Sequence, residues 1–300
     1  MLAIAIRFTL YANLMVVFGW PLFALYGTRD KAGGPSRGQL LSMTVLAVAL
    51  SLAGMLAMTA SMSGVAIVDV DRGSIEAMVF ETPMGLAWQV RMAALAAIAA
   101  LAGARNSSAR IATVAFASAA LASLAWTGHG AAGEATTGWV QLVADIVHLL
   151  AAGAWIGALV ALGLMLARNA SRLTSADFIA MHRTLDGFSK AGTILVALLI
   201  VTGAINTWVL VGPAGVRLFS SDLYVQLLAI KLVLFAAMLE LAAMNRFRLT
   251  PALLRDLDSG SVPSGAQQAL HRSIAIEAGL AASVLAIVAW LGTLVPPASL

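Results

Sequence analysis

The chain contains no cysteine. That excludes disulfides and thiolate metal sites, so a soft-metal site has only methionine and histidine to draw on. Charge is also scarce. Asp, Glu, Lys and Arg make up 11% of the 300 residues, where a soluble globular chain carries about 25%. Acidic residues are the rarer sign, 14 against 18 basic, which gives a pI near 10.0. The excess does not signal nucleic-acid binding, because the basic residues sit in short connectors between apolar runs. A small-residue cleavage site is missing too: the apolar run Phe8–Tyr26 leads into Thr28-Arg29-Asp30-Lys31, so it reads as a retained span rather than a signal peptide. What is abundant is hydrocarbon, with 61% hydrophobic residues and a mean hydropathy of +0.92. These absences leave an all-α, polytopic membrane helix bundle.

Eight runs approach the roughly 20 residues that a bilayer requires: Ile4–Tyr26, Gln39–Met62, Met84–Gly103, Ile111–Gly128, Trp139–Ala167, Ala191–Val211, Leu223–Asn245 and Ile274–Leu294. Alternate connectors hold Arg29, Lys31 and Arg37; Arg105 and Arg110; Arg168, Arg172, Arg183 and Lys190; and Arg246, Arg248, Arg255 and Arg272. The opposite side holds only Arg7, Arg72 and Arg217. Cationic connectors stay in the cytoplasm, so both termini are expected outside it, in the periplasm. The outer side carries Asp69, Asp71, Glu76, Glu81, Glu134 and Asp222, an acidic surface of the kind that concentrates cations. Its longest loop, Ser63–Pro83, spaces Ile75, Met78 and Val79 as a short interfacial helix would.

The chain reads as a single membrane domain, 1–300, made of four spans in 1–128 and four in 129–300. A parallel repeat of these halves is expected from near-constant offsets. Val17-Phe18-Gly19 aligns with Trp155-Ile156-Gly157 at 138, Ser63-Gly64 with Thr202-Gly203 at 139, and Arg91 with Lys231 at 140.

The stretch Thr127–Gly157 concentrates the chemistry. It carries His129, Asp145 and His148, and ionisable groups inside a span mark function by default because burying them there costs several kcal/mol. Asp145 and His148 lie one turn apart on one face, and Trp155 follows seven residues later. At about 1.5 Å per residue, Asp145 lies roughly 9 Å and His148 roughly 13 Å below the outer end of their span. Arg91 and Lys231 fall at similar depth, and Asn13 and Asn206 also lie in outer halves. These residues are expected to form one outward-facing polar layer, with Arg91 or Lys231 neutralising Asp145.

Six of the 13 methionines lie between Met55 and Met92. Met55, Met58 and Met62 share one helical face. Thioether sulfur suits Cu(I), and imidazole accepts either copper oxidation state. His129 and Met62 are therefore candidate rim ligands, with His148, Asp145, Met55 and Met58 deeper. Methionine that merely fills gaps between helices is the competing explanation for the stripe.

Thr127-Gly128-His129-Gly130, Asp145-x-x-His148 and Trp155-x-Gly157 resemble the core of the copper-resistance protein D (CopD) family. The resemblance continues through Thr202-Gly203-Ala204-Ile205-Asn206-Thr207-Trp208, Leu228-Ala229-Ile230-Lys231-Leu232, Asn245-Arg246 and Pro251. It runs on through Arg272-Ser273-Ile274-Ala275-Ile276-Glu277 to Pro296-Pro297. It implies a bacterial inner-membrane protein, not an enzyme, that works with a periplasmic copper carrier (CopC) and moves copper inward. Two other functions compete with this one. Haem held by His129 and His148 would make a redox protein, but the two histidines lie at unequal depth. A receptor for the carrier would need no pathway, and the inner half offers few polar groups beyond Glu240 and Glu277, which could receive a cation but are explained as well by snorkelling toward Arg248 and Arg272. His182 and His271 fall among arginines in cytoplasmic connectors and read as solvated.

Overall fold

Local capping chemistry decides where the helices begin. A helix start leaves backbone N–H groups without partners, and a short polar side chain just before it supplies an acceptor. Ser36 starts α2 (Arg37–Ser63) with a reciprocal box: its hydroxyl accepts from Gln39 N at 3.3 Å, and the Gln39 side chain accepts from Ser36 N at 2.9 Å. Asp71 caps α3 (Arg72–Glu81), Thr82 caps α4 (Pro83–Leu101) with Pro83 in its first turn, and Asn106 caps α5 (Ser107–Ala122). Asp222 caps α8 (Leu223–Met244). The remaining helices are α1 (Leu2–Tyr26), α6 (Ala135–Arg168), α7 (Ser175–Gly215) and α9 (Ser264–Leu291). The computed structural model describes residues 1–26, 33–104, 106–127, 135–168, 175–215, 222–252 and 264–299, and among these there is no strand.

Among the described residues eight of the nine α-helices are long and apolar enough to cross a membrane, which matches the eight spans read from hydropathy. The ninth, α3, is the short helix expected in the outer loop. Its apolar side faces protein: Met78 and Val79 are buried against Met55, with Ile75, Met58, Met84 and Trp88 packed around them. Between the fifth and sixth spans the connector is shorter than expected, because α6 runs to Arg168 and α7 already begins at Ser175.

The first helix is the axis of the bundle. It packs against α2, α5, α6 and α9, and its closest approach is to α6. A Cβ on Gly157 would lie 2.1 Å from the Gly19 carbonyl carbon, and a Cβ on Gly19 would lie 2.0 Å from the Gly153 carbonyl oxygen. Gly153 and Gly157 form a small-xxx-small pair, the pattern by which membrane helices bring their backbones together where the hydrophobic effect offers no drive. Two apolar cores flank this crossing. One gathers Leu14, Leu95, Ile98 and Leu121 from α1, α4 and α5. The other gathers Phe23, Leu159, Leu162, Leu270 and Ile274 from α1, α6 and α9. The first and last helices meet on one face, where Arg7 Nη1 donates to the Gly292 carbonyl at 2.9 Å.

Candidate functional site

Three helices supply the site. On α6, Gln141, Asp145 and His148 recur at intervals of four and three, which stacks them along one face. Facing them on α7 are Thr202 and Asn206, again four apart. Asn206 Nδ2 donates to Asp145 Oδ1 at 2.6 Å. His148 Nδ1 and Thr202 Oγ1 are 2.9 Å apart, and the Cε1 of His148 lies against Gly203. From α8, the Lys231 ammonium acts electrostatically on both Asp145 and His148.

The hydroxyl of Thr202 fixes the imidazole tautomer. A hydroxyl has one proton to give, and Thr202 Oγ1 donates it to the Leu198 carbonyl at 2.6 Å. The bond to His148 must then run the other way, with Nδ1–H donating to Oγ1. That leaves the Nε2 lone pair available to a metal ion, the arrangement in which a hydrogen-bonded ring nitrogen orients its metal-binding partner. Gln141 Nε2 and Asn206 Oδ1 are buried with no partner among the described residues. Side chains at the site thus hold unspent donor and acceptor capacity. Among the described residues no three His, Asp or Glu side chains converge as a ready-made metal cluster.

The structure divides the expected polar layer. Asp145, His148, Asn206 and Lys231 come together. Arg91 does not join them: it is buried on α4 near Tyr11 of α1, and its Nε and Nη1 have no partner among the described residues. Asn13 donates to the Met43 carbonyl of α2 at 2.8 Å, which ties two helices. Trp155 points to a deeper level, donating Nε1–H to Glu277 Oε1 at 2.8 Å. His129 lies outside the described residues.

The methionine stripe is also divided. Met55 and Met58 join Met78 and Met84 between α2, α3 and α4, while Met62 is 62% exposed. Helix α2 packs on α1, α3 and α4, so this thioether cluster stands on the far side of α1 from His148. Several of the carboxylates expected on the outer face have local partners. Ser74 donates its side-chain hydroxyl and backbone N–H to Asp71 at 2.6 and 2.9 Å, which holds the Asp71 carboxyl below its ordinary range. Asp222 caps α8, and Glu76 accepts from Arg72 at 2.7 Å.

Three residues gain roles that spacing alone does not give them. Gln141 carries a readable signal, because it stands one turn before Asp145 on the same face. Thr202 has no such signal, since threonine within a span usually bonds its own helix. Glu277, open between snorkelling and burial, is decided by the packing. It is 2% exposed and holds hydrogen bonds from Trp155 and Asn245, so it does not snorkel toward Arg272.

Comparison with known proteins now adds to this geometry. Residues 1–139 match the family described as copper resistance protein D-like, N-terminal domain, and residues 182–291 match copper resistance protein D. Over 304 aligned residues the chain is 40% identical to "Copper resistance protein D" of Pseudomonas syringae pv. tomato, covering 98% of this chain and 97% of the relative. It is 28% identical to "Inner membrane protein YebZ" of Escherichia coli (strain K12), covering 98% of each. No solved structure matches it. With both halves matched and a relative aligned nearly end to end, the chain belongs to the copper resistance protein D family.

Proposed function

We propose that this protein serves copper homeostasis by taking copper from the periplasmic side into a site at Asp145 and His148 and moving it across the inner membrane. Copper is the cargo here, not a resident cofactor. The observation that carries the reading is the tautomer of His148, whose Nε2 is left as a free ligand atom beside a carboxylate inside the bundle.

Lys231 gives the site a means of exchange. In the empty site its ammonium balances Asp145; an arriving copper ion takes over that balance, and departure of the metal restores the ammonium. Imidazole and carboxylate bind copper in either oxidation state, whereas the thioethers of Met55, Met58 and Met62 favour Cu(I). In this reading the methionine face, across α1 from His148, is an outer capture surface for copper, with His129 the rim and His148 with Asp145 the inner part of the route. A periplasmic copper-binding protein of the CopC type is the expected donor, docking on the outer face.

The test is copper binding and uptake in variants that reach the membrane at normal levels. His148→Ala and Asp145→Asn are each expected to abolish copper uptake and copper-dependent growth. A triple Met55/Met58/Met62→Leu variant, whose volume-conserving swaps usually cost under about 1.5 kcal/mol each, is expected to insert normally and to lose Cu(I) affinity in competition with a chelator. Full uptake by His148→Ala would overturn the proposal. Unchanged Cu(I) affinity in the triple variant would reduce the stripe to packing.

A further inference from the structure

About 10 Å farther along α6 than His148, by the helical rise over seven residues, a second polar site closes between three helices. Trp155 of α6 donates to Glu277 Oε1 at 2.8 Å, and Asn245, at the end of α8, donates to Glu277 Oε2 at 3.2 Å. Around them is an apolar shell that includes Ala158, Leu162, Ile274 and Ala281. Both donors are neutral. The titratable groups on the packed elements are Arg7, Tyr11 and Tyr26 on α1, Asp145 and His148 on α6, Tyr224, Lys231 and Glu240 on α8, Arg246 and Arg248 in the turn after it, and His271 and Arg272 on α9; among the described residues none of them forms an ion pair with Glu277. Arg246 is committed to Thr193.

Two further observations point to a ligand. Ser273, one turn before Glu277 on the same face of α9, is 3% exposed, and its Oγ has no partner among the described residues. The Asn245 Oδ1 is likewise buried and unpartnered. Asn245 also begins a π-helical turn, Asn245–Leu249, a local widening that often accompanies function. A buried carboxylate in an apolar shell needs a positive charge, and unspent oxygen acceptors stand beside this one.

We propose that Glu277, Asn245 and Ser273 form a second ion site that takes a hard monovalent cation, a proton or a sodium ion, and not copper. The donor set decides the class: carboxylate, amide and hydroxyl oxygens are hard ligands, and no thioether or imidazole is among them. One carboxylate matches one positive charge, so a monovalent cation leaves the site neutral within the membrane. Trp155 holds the carboxylate in place and links the site to the helix that carries His148. This goes beyond the copper reading and stands without it. If copper does cross the bundle, Glu277 is placed to bind the coupling ion.

Infrared difference spectroscopy on the purified, copper-free protein tests the site directly. On acidification, a protonated-carboxyl C=O band is expected to appear, to shift in heavy water and to be missing in Glu277→Gln. Suppression of the band by sodium chloride, with potassium chloride as control, identifies sodium as a ligand; indifference to sodium identifies the proton. Both outcomes support the site. Trp155→Phe keeps the ring and removes the N–H, and is expected to move the pH midpoint of the band, so the assignment survives if Glu277→Gln fails to fold. The proposal is overturned by a carboxyl that stays protonated or ionised at every pH with or without sodium, or by a band that neither variant alters. Because no copper is present, this result is independent of what His148 binds.

Discussion

The most informative side chain in the outer site is Thr202, which touches no ligand and acts through His148. Its hydroxyl spends its proton on the Leu198 carbonyl and so accepts from the imidazole. Thr202→Val keeps the shape and removes the acceptor. Loss of such an orienting partner typically weakens metal affinity about 10–100-fold. A drop of that order in copper affinity, measured by chelator competition, is the expected outcome for Thr202→Val, with Thr202→Ser recovering most of it. Equal affinity in all three proteins would show that the tautomer is set elsewhere. Asp145 and His148 were legible in the sequence because charge inside an apolar run is costly and therefore rare. Asn206 was placed in the same layer by depth, but its pairing with Asp145 and that of Thr202 with His148 were not legible, since these residues lie 61 and 54 apart and only the packing of α6 on α7 selects them. Glu277 stayed open for a related reason. Its place along the span allowed either snorkelling or burial, and the indole of Trp155 decides between them.

At the level of the helix, the glycines at the α1–α6 crossing carry the architecture. Residue pattern gives the helices and their number, and the caps at Ser36, Thr82 and Asn106 fix several starts. It does not say which helix occupies the middle. That follows from a backbone contact permitted only where Gly19, Gly153 and Gly157 face one another. Overpacking typically costs about 1–3 kcal/mol, and a Cβ here would meet main chain that has no rotamer to change. Gly157→Leu is therefore expected to lower the thermal unfolding midpoint in detergent and to reduce the folded yield. Gly192→Ala, where an added Cβ meets nothing within 4 Å, is the matched control and is expected to be neutral or slightly stabilising. Similar losses in both would mean that the crossing is not specially tight.

At the level of the whole molecule, the distribution of Arg and Lys predicts a bundle with its termini and α3 outside. The absence of cysteine makes this directly measurable. Ala66→Cys, in the loop before α3, is expected to react with a membrane-impermeant maleimide on intact spheroplasts, and Ala104→Cys, between α4 and α5, only after lysis. The reverse pattern would invert the topology and place the His148 site on the cytoplasmic side. Acidity of the outer face was plain from composition, but part of it has a structural use. Asp71 and Asp222 hold helix starts, and Glu76 is engaged by Arg72, which leaves fewer carboxylates to attract metal than the count suggests.

The crossing of α1 and α6 also has a mechanical meaning. Where side chains interlock, two helices resist sliding and tilting; at the point where Gly19 meets Gly157, main chain rests directly on main chain. Gly19 and Gly157 are the pair that the expected repeat aligns at an offset of 138, and in that repeat the halves would lean on one another at equivalent places. Such a point behaves as a fulcrum. Rocking of one group of four spans against the other, the motion by which repeat-built carriers expose a site alternately to each side, would leave the glycines almost still. The displacement would grow with distance from them and be greatest at the two membrane faces.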